Sequence, residues 1–278
     1  MYTFQVVGNP VAHSLSPDIH AAFASQLGHQ ITYDKAEVAL GGFADHVDAF
    51  RAGGGHGLNV TLPFKEDAFR YVDEMDALAA QAKAVNTIHI HEGRTLGFNT
   101  DGVGLVLDLE VRHQVSLAGT KVLLLGAGGA TRGVLLPLLN AGVAKLTIAN
   151  RTETKAFALA REFKRQGDVV ACGLPVAGRE RLLAERQDIV INATSLDQGV
   201  DISEVLISAK CVEETVCYDM GYGARARFAQ WADDRADKAV DGLGMLVEQA
   251  AESYAIWLGS RPDTADVFKM LAQRLAAT

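Results

Sequence analysis

Lys121-Val-Leu-Leu-Leu125-Gly126-Ala127-Gly128-Gly129-Ala130 constrains the fold of this chain more than any other stretch. A short apolar run stops at a glycine turn, and a helix-forming segment follows. An apolar run without polar alternation belongs to a strand buried on both faces, as in parallel sheets covered by helices. The glycines permit the tight turn and leave backbone N–H groups at a helix N-terminus, where a dinucleotide pyrophosphate is held. A tight turn with no ligand is the plainer reading, and Thr131 stands where the third glycine of G-x-G-x-x-G would fall. Context favours the phosphate, because the run sits where a βαβ unit begins.

The rhythm around this stretch is α/β. Before it, Thr3–Gly8, Thr32–Glu37 and Leu58–Thr61 read as strands. Between them, Asp18–Leu27 is a helix capped by Ser16-Pro17 and closed near Gly28, and Phe43–Arg51 is a helix ended by Gly53–Gly55. Glu66–Lys83 is broadly helical, and Thr87–His91 pairs with Thr95–Phe98 around Glu92-Gly93 as a hairpin. After it, Lys145–Ala149, Asp188–Asn192 and Thr215–Asp219 are strands; Val240–Leu258 and Thr264–Leu275 are helices. Pro137 falls inside the helix ending near Asn140–Gly142 and predicts a kink.

At 278 residues the chain has room for two ordinary domains. Its net charge of −8, with no basic run, excludes a general affinity for nucleic acid and leaves anionic ligands to local donors. The apolar runs are too short to span a membrane, and Met1-Tyr-Thr-Phe-Gln5 has no export signal. Cys172, Cys211 and Cys217 lack metal spacing and read as reduced thiols, so a cytoplasmic protein with no metal is expected.

The end of the second strand selects the cofactor. An acidic residue there would bind the ribose 2′-hydroxyl of NAD. This chain has Asn150-Arg151-Thr152 with Lys155 one turn on, and a guanidinium, a hydroxyl and an ammonium suit the 2′-phosphate of NADP. A solvated basic helix start is the bland alternative, which the helix macrodipole disfavours.

Asn59-Val-Thr61-Leu-Pro-Phe-Lys65 and Asn99-Thr-Asp101-Gly concentrate amide, hydroxyl and ionisable groups beside turn-formers, as a site for a polar small molecule and a proton requires. With Gly8-Asn-Pro-Val-Ala-His13-Ser14-Leu-Ser16-Pro17, Ala84-Val-Asn86-Thr87, Gly126–Ala130, Asn150-Arg-Thr152, Asn192-Ala-Thr194-Ser195 and Gly242-Leu-Gly-Met-Leu-Val-Glu-Gln249-Ala-Ala, they match one family in order and spacing. Over nearly its whole length the chain resembles the shikimate dehydrogenases.

The resemblance implies an α/β substrate domain, residues 1–101 and 240–278, and a Rossmann-type NADP-binding domain, residues 102–239, separated by a cleft. It implies reversible reduction of 3-dehydroshikimate to shikimate by NADPH, on the route to chorismate and the aromatic amino acids. Lys65 and Asp101 would be the catalytic pair; Ser14 and Ser16 would hold the substrate carboxylate; Asn59, Thr61, Asn86, Tyr222 and Gln249 would meet ring hydroxyls. Gly126 to Ala130, Asn150, Arg151, Thr152, Lys155, Thr194, Met220 and Gly242 would hold the cofactor. A monomer or homodimer is expected. Taken singly, each residue has a bland reading: Ser16 as a helix cap, Asn59 and Asn86 as turn residues, Lys65 and Gln249 as surface, Asp101 as a cap.

Two segments depart from the family pattern. Leu196-Asp197-Gln198 follow Ser195 where a glycine is usual, and Ala224-Arg-Ala-Arg227-Phe228 replaces a Thr-Pro pair before an aromatic. Two other functions compete. One is a quinate/shikimate dehydrogenase with broader substrate or NAD use, which Arg151, Thr152 and the two serines oppose. The other is a catalytically silent NADP-binding regulatory module, which an intact Lys65 and Asp101 oppose.

Overall fold

The computed structural model describes residues 1–174, 186–194 and 214–277. Ser195, Leu196–Gln198 and Cys211 lie outside the described residues. The chain divides into two units, Met1–Gly104 with Leu246–Thr278, and Leu105–Met245.

In the first unit, β1 (Tyr2–Gly8), α1 (Ser16–Leu27), β2 (Ile31–Glu37), α2 (Phe43–Ala52) and β3 (Gly57–Val60) alternate along the chain. Then come α3 (Lys65–Tyr71), β4 (Glu74–Met75), α4 (Ala77–Ala82), β5 (Thr87–His91), β6 (Arg94–Phe98) and α5 (Asp101–Leu107). The six strands order as β2-β1-β3-β5-β6-β4. β1 runs parallel to β2 and β3, whereas β5 is antiparallel to β3 and to β6. Val7, Leu58, Val60, Phe64, Val85 and Ile88 build one core. On another side of the sheet Trp257 stacks on Phe4, with ring centroids 4.5 Å apart, and donates Nε1–H to Ile88 O at 2.9 Å.

In the second unit a π-helical turn (Asp108–Arg112) follows α5. Next come β7 (Lys121–Leu125), α6 (Gly129–Asn140), β8 (Lys145–Asn150), α7 (Glu153–Phe163), β9 (Val169–Gly173), β10 (Ile189–Asn192), β11 (Val216–Asp219), α8 (Arg227–Ala232) and β12 (Lys238–Val240). Among the described residues all pairings here are parallel, in the order β12-β11-β10-β7-β8-β9. Counted from β7 this is the doubly wound order 3-2-1-4-5-6, which places its crevice where β7 and β10 diverge. Val122 and Leu124 pack with Leu135 and Leu159 in one core, while Leu123 and Leu125 pack with Val190 and Phe228 in another. Both faces of β7 are thus covered, as its unbroken apolar run requires.

α9 (Leu243–Leu258) crosses the boundary between the units, and α10 (Ala265–Ala276) belongs to the first. Among the described residues no helix is long and apolar enough to cross a membrane.

The α/β class and the hairpin are as expected, apart from shifts of a residue or so at element ends, and three readings are corrected. Ser16 is the first residue of α1 and Leu15 its N-cap, with no side-chain cap bond. The segment expected to be helical from Glu66 to Lys83 is broken by β4. There the Asp73 carboxylate accepts from Thr95 N at 2.7 Å and Asp76 caps α4 by accepting from Ala79 N at 2.7 Å. Val240 is not helical but extended, opposite Tyr218 in the sheet.

Candidate functional site

Lys65 opens α3 and Asp101 opens α5. Their side chains meet, Lys65 Nζ donating to Asp101 Oδ2 at 2.6 Å, with side-chain exposures of 27% and 14%. The pair is shielded, yet open enough to meet a small molecule. Asp101 Oδ1 accepts from Asn86 Nδ2 at 2.9 Å, so both carboxylate oxygens are engaged and the carboxylate is fixed against rotation.

Asn86 is buried immediately before β5. Its Nδ2 also donates to Thr100 Oγ1 at 2.9 Å, while its Oδ1 accepts from Thr100 N and Thr87 Oγ1, each at 2.9 Å. Asn59, buried on β3, accepts from Tyr33 OH at 2.7 Å and donates Nδ2–H to Ser253 Oγ at 3.0 Å. Both carboxamides therefore have protein partners at each end. Gln249 brings Oε1 to 3.4 Å from Asn86 Nδ2 and donates Nε2–H to Leu246 O at 2.8 Å.

Ser14 and Ser16 share the turn into α1, with Ser14 Oγ donating to Ser16 Oγ at 3.1 Å and Ser16 N to Ser14 Oγ at 3.2 Å. Thr61 follows β3 and donates its N–H to Val7 O at 2.9 Å. Its methyl lies 2.5 Å from where a Cβ on Gly8 would stand, so Gly8 lets this turn approach β1. The first unit thus brings Lys65, Asp101, Asn59, Asn86 and Gln249 into one hydrogen-bonded cluster. Tyr222 belongs to the second unit, where burial pushes its phenol above the ordinary value.

In the second unit Gly126 turns at φ 106°, and a Cβ there would stand 2.9 Å from Thr194 Cγ2. α6 starts beyond Gly128 with no side-chain cap bond, and open space surrounds the Cβ positions of Gly128 and Gly129. Its first amides are therefore available to an anion, with Ala127 and Ala130 flanking them. Thr194 donates its N–H (3.1 Å) and Oγ–H (2.7 Å) to Asn192 Oδ1. Asn192 Nδ2 in turn donates to Asp219 Oδ1 at 3.1 Å, and Asp219 Oδ2 accepts from Phe228 N at 2.9 Å. These bonds fix the β10 and β11 ends that carry Thr194 and Met220. Gly242 packs on the Met220 carbonyl, leaving no room for a side chain.

Asn150 ends β8, its Nδ2 donating to Thr152 O at 2.9 Å, and Arg151, Thr152 and Lys155 are exposed at the start of α7. Glu153 stands among them and lays its carboxylate against Gly173 at the end of β9. That neighbour was not anticipated from the sequence. Nor were Tyr33, Thr87, Thr100 and Ser253 as members of the cluster. One signal was available: Ser253 lies four residues after Gln249, on the same helical face.

The family model for the shikimate dehydrogenase substrate binding domain matches residues 6–88, that for shikimate / quinate 5-dehydrogenase residues 109–219, and that for the shikimate 5′-dehydrogenase C-terminal domain residues 242–268. The chain is 48% identical over 275 residues to the shikimate dehydrogenase (NADP(+)) of Hahella chejuensis, covering 98% of this chain and 99% of the relative. Among solved structures it is similar to an Ael1 enzyme of Pseudomonas putida, with a TM-score of 0.88, 39% identity and 98% of each chain covered. It is also similar to a Thermus thermophilus shikimate 5-dehydrogenase solved with NADP(H) and shikimate, with a TM-score of 0.82 and 33% identity, covering 99% of this chain and 100% of the other.

Proposed function

The chain belongs to the shikimate dehydrogenase family, and from that premise we propose that it interconverts 3-dehydroshikimate and shikimate with NADP(H). The observation that carries the reading is the 2.6 Å ion pair between Lys65 and Asp101, held from behind by Asn86.

The first unit is the proposed substrate domain. Ser14 and Ser16 hold the carboxylate through hydroxyl donors where the chain turns into α1. Asn59, Thr61, Asn86 and Gln249 face ring hydroxyls, Thr61 and Gln249 with the most spare capacity because both asparagine carboxamides already hold closer protein partners. A site read through hydrogen bonds rejects analogues strongly, since each missing hydroxyl leaves a buried polar group unpaired.

The second unit fits the cofactor. The uncapped start of α6 and the open space above Gly128 and Gly129 suit a pyrophosphate. Arg151, Thr152 and Lys155 suit a 2′-phosphate. Bound NADPH supplies the hydride. Asp101 orients the Lys65 ammonium, and Lys65 gives its proton to, or holds its charge against, the alkoxide that develops on the substrate oxygen. In the reverse direction Lys65 takes up the proton of the shikimate hydroxyl. The product belongs to the route leading to chorismate and the aromatic amino acids.

The test pairs shikimate or quinate with NADP+ or NAD+ and follows cofactor reduction by absorbance, for the wild type and for Lys65→Ala. Turnover is expected with shikimate and NADP+, and Lys65→Ala should lower kcat by about 10³-fold with little change in KM. Turnover confined to quinate and NAD+ would overturn the substrate and cofactor assignments. Near-normal kcat in Lys65→Ala would remove the lysine from the chemistry.

A further inference from the structure

Behind the Lys65–Asp101 pair the first unit contains an unbroken run of hydrogen bonds. Tyr33 OH meets Asn59 Oδ1 at 2.7 Å, and Asn59 Nδ2 meets Ser253 Oγ at 3.0 Å. Ser253 Oγ meets Thr87 Oγ1 at 2.7 Å, Thr87 Oγ1 meets Asn86 Oδ1 at 2.9 Å, and Asn86 Nδ2 meets Asp101 Oδ1 at 2.9 Å.

The direction of the run follows from groups that have only one role. Asn86 Nδ2 faces a carboxylate, which only accepts, and Asn86 Oδ1 faces the backbone N–H of Thr100, which only donates. That fixes the Asn86 amide, so Thr87 must donate to it. The single Thr87 proton is then committed, and a 2.7 Å contact between two hydroxyls needs a proton, so Ser253 donates to Thr87. Ser253 Oγ also lies 3.0 Å from Gln249 O, which has a second lone pair, but the Thr87 contact is the shorter and has no other proton to fill it. Asn59 Nδ2 faces the backbone carbonyl of Asn86 at 3.4 Å, which fixes the second amide, so Tyr33 donates to its oxygen. Burial raises the Tyr33 phenol well above its ordinary value and keeps it a donor. Every dipole from Tyr33 to Asp101 therefore points the same way. Donors in series polarise one another, and the last one aims its positive end at the carboxylate.

We propose that Ser253 is a positioning residue of the catalytic pair, closing a unidirectional relay that holds Asn86, and through it Asp101, in the geometry Lys65 needs. Ser253 is wholly buried and does not touch the pair, so it acts through Thr87 and Asn86. The inference deepens the proposed reaction and rests on the Lys65–Asp101 reading.

The test measures steady-state kinetics of shikimate oxidation by Ser253→Ala, Ser253→Thr, Tyr33→Phe and the Tyr33→Phe/Ser253→Ala double variant, with Lys65→Ala in parallel. Ser253→Ala should lose about tenfold in kcat, with KM for shikimate and NADP+ changed less than about twofold. Ser253→Thr, which restores the hydroxyl, should recover most of it. Tyr33→Phe should cost about threefold in the wild-type background and clearly less in the Ser253→Ala background, where only the longer Asn59 Nδ2–Thr87 Oγ1 contact of 3.3 Å still joins the two halves. A folded Ser253→Ala with wild-type kcat, or independent and multiplicative effects of the two substitutions, would overturn the relay while an inactive Lys65→Ala left the reaction standing. An active Lys65→Ala would overturn both.

Discussion

His20 lies fully buried, its ring centroid 4.3 Å from that of Tyr33 and nearly parallel to it at 8°. Phe23, Tyr254 and Trp257 complete the surround. Burial strips water from the imidazolium and lowers the pKa from 6.5 to about 3, against a smaller opposing effect of Asn59. The unfolded chain recovers the ordinary value. Between the two values the unfolded state binds a proton that the folded state refuses, so stability is lost as pH falls from about 6.5 towards 3. Each pH unit inside that window is worth ~1.4 kcal/mol. Between about pH 7.5 and about pH 5 this residue alone should cost about 2 kcal/mol. His20→Phe keeps a ring against Tyr33 and removes the proton. Urea unfolding at both pH values should show the wild type losing about 2 kcal/mol more than the variant. An equal loss in both proteins would mean that His20 accepts its proton in the fold without penalty.

At the scale of elements, the start of α9 depends on an absent side chain. A Cβ on Gly244 would run into the Asp108 carboxylate. That carboxylate cannot swing away freely, because Tyr218 OH donates to Oδ2 at 2.7 Å and Arg112 Nε lies 3.2 Å from Oδ1. Glycine to alanine in a helix gains up to ~1 kcal/mol, while overpacking a buried site costs ~1–3 kcal/mol and disturbs these bonds. The second effect should win, and Gly244→Ala should lose about 2 kcal/mol in urea unfolding; unchanged stability would show that the carboxylate yields. The sequence makes β7, α6 and β8 legible, because a parallel strand buried on both faces and a glycine turn leave few alternatives. It does not reveal β4, whose two residues are set by pairing with β6 and by Asp73 and Asp76 binding backbone amides. The candidate site divides in the same way. Lys65, Asp101 and Asn86 stand in compact polar motifs. Ser253, Tyr33 and His20 are scattered over two helices and a strand whose local patterns read as ordinary packing, and only the fold brings them together.

For the whole molecule, two units with separate cores imply that ligands leave separable marks. The first unit packs around Val7, Leu58 and Ile88, and the second around Leu124, Ile148 and Ile191. Local openings in each are governed by its own packing. A ligand at a hundred times its Kd stabilises the state that binds it by ~2.7 kcal/mol, and slows exchange in amides whose opening releases it. With a net charge of −8, the anionic cofactor must be held by local donors, so its effect should concentrate there. Hydrogen exchange read by mass spectrometry should show NADP+ slowing residues 126–131 and 150–155, and shikimate slowing residues 59–65, 86–87 and 99–101. Arg151→Ser should weaken the NADP+ mark about tenfold or more in the concentration needed, and leave the shikimate mark as it was. The second arm separates a 2′-phosphate site from a general basic surface, since a general surface would lose little with one guanidinium. NADP+ protecting residues 59–65 while leaving 126–131 and 150–155 unchanged would place the cofactor in the wrong unit.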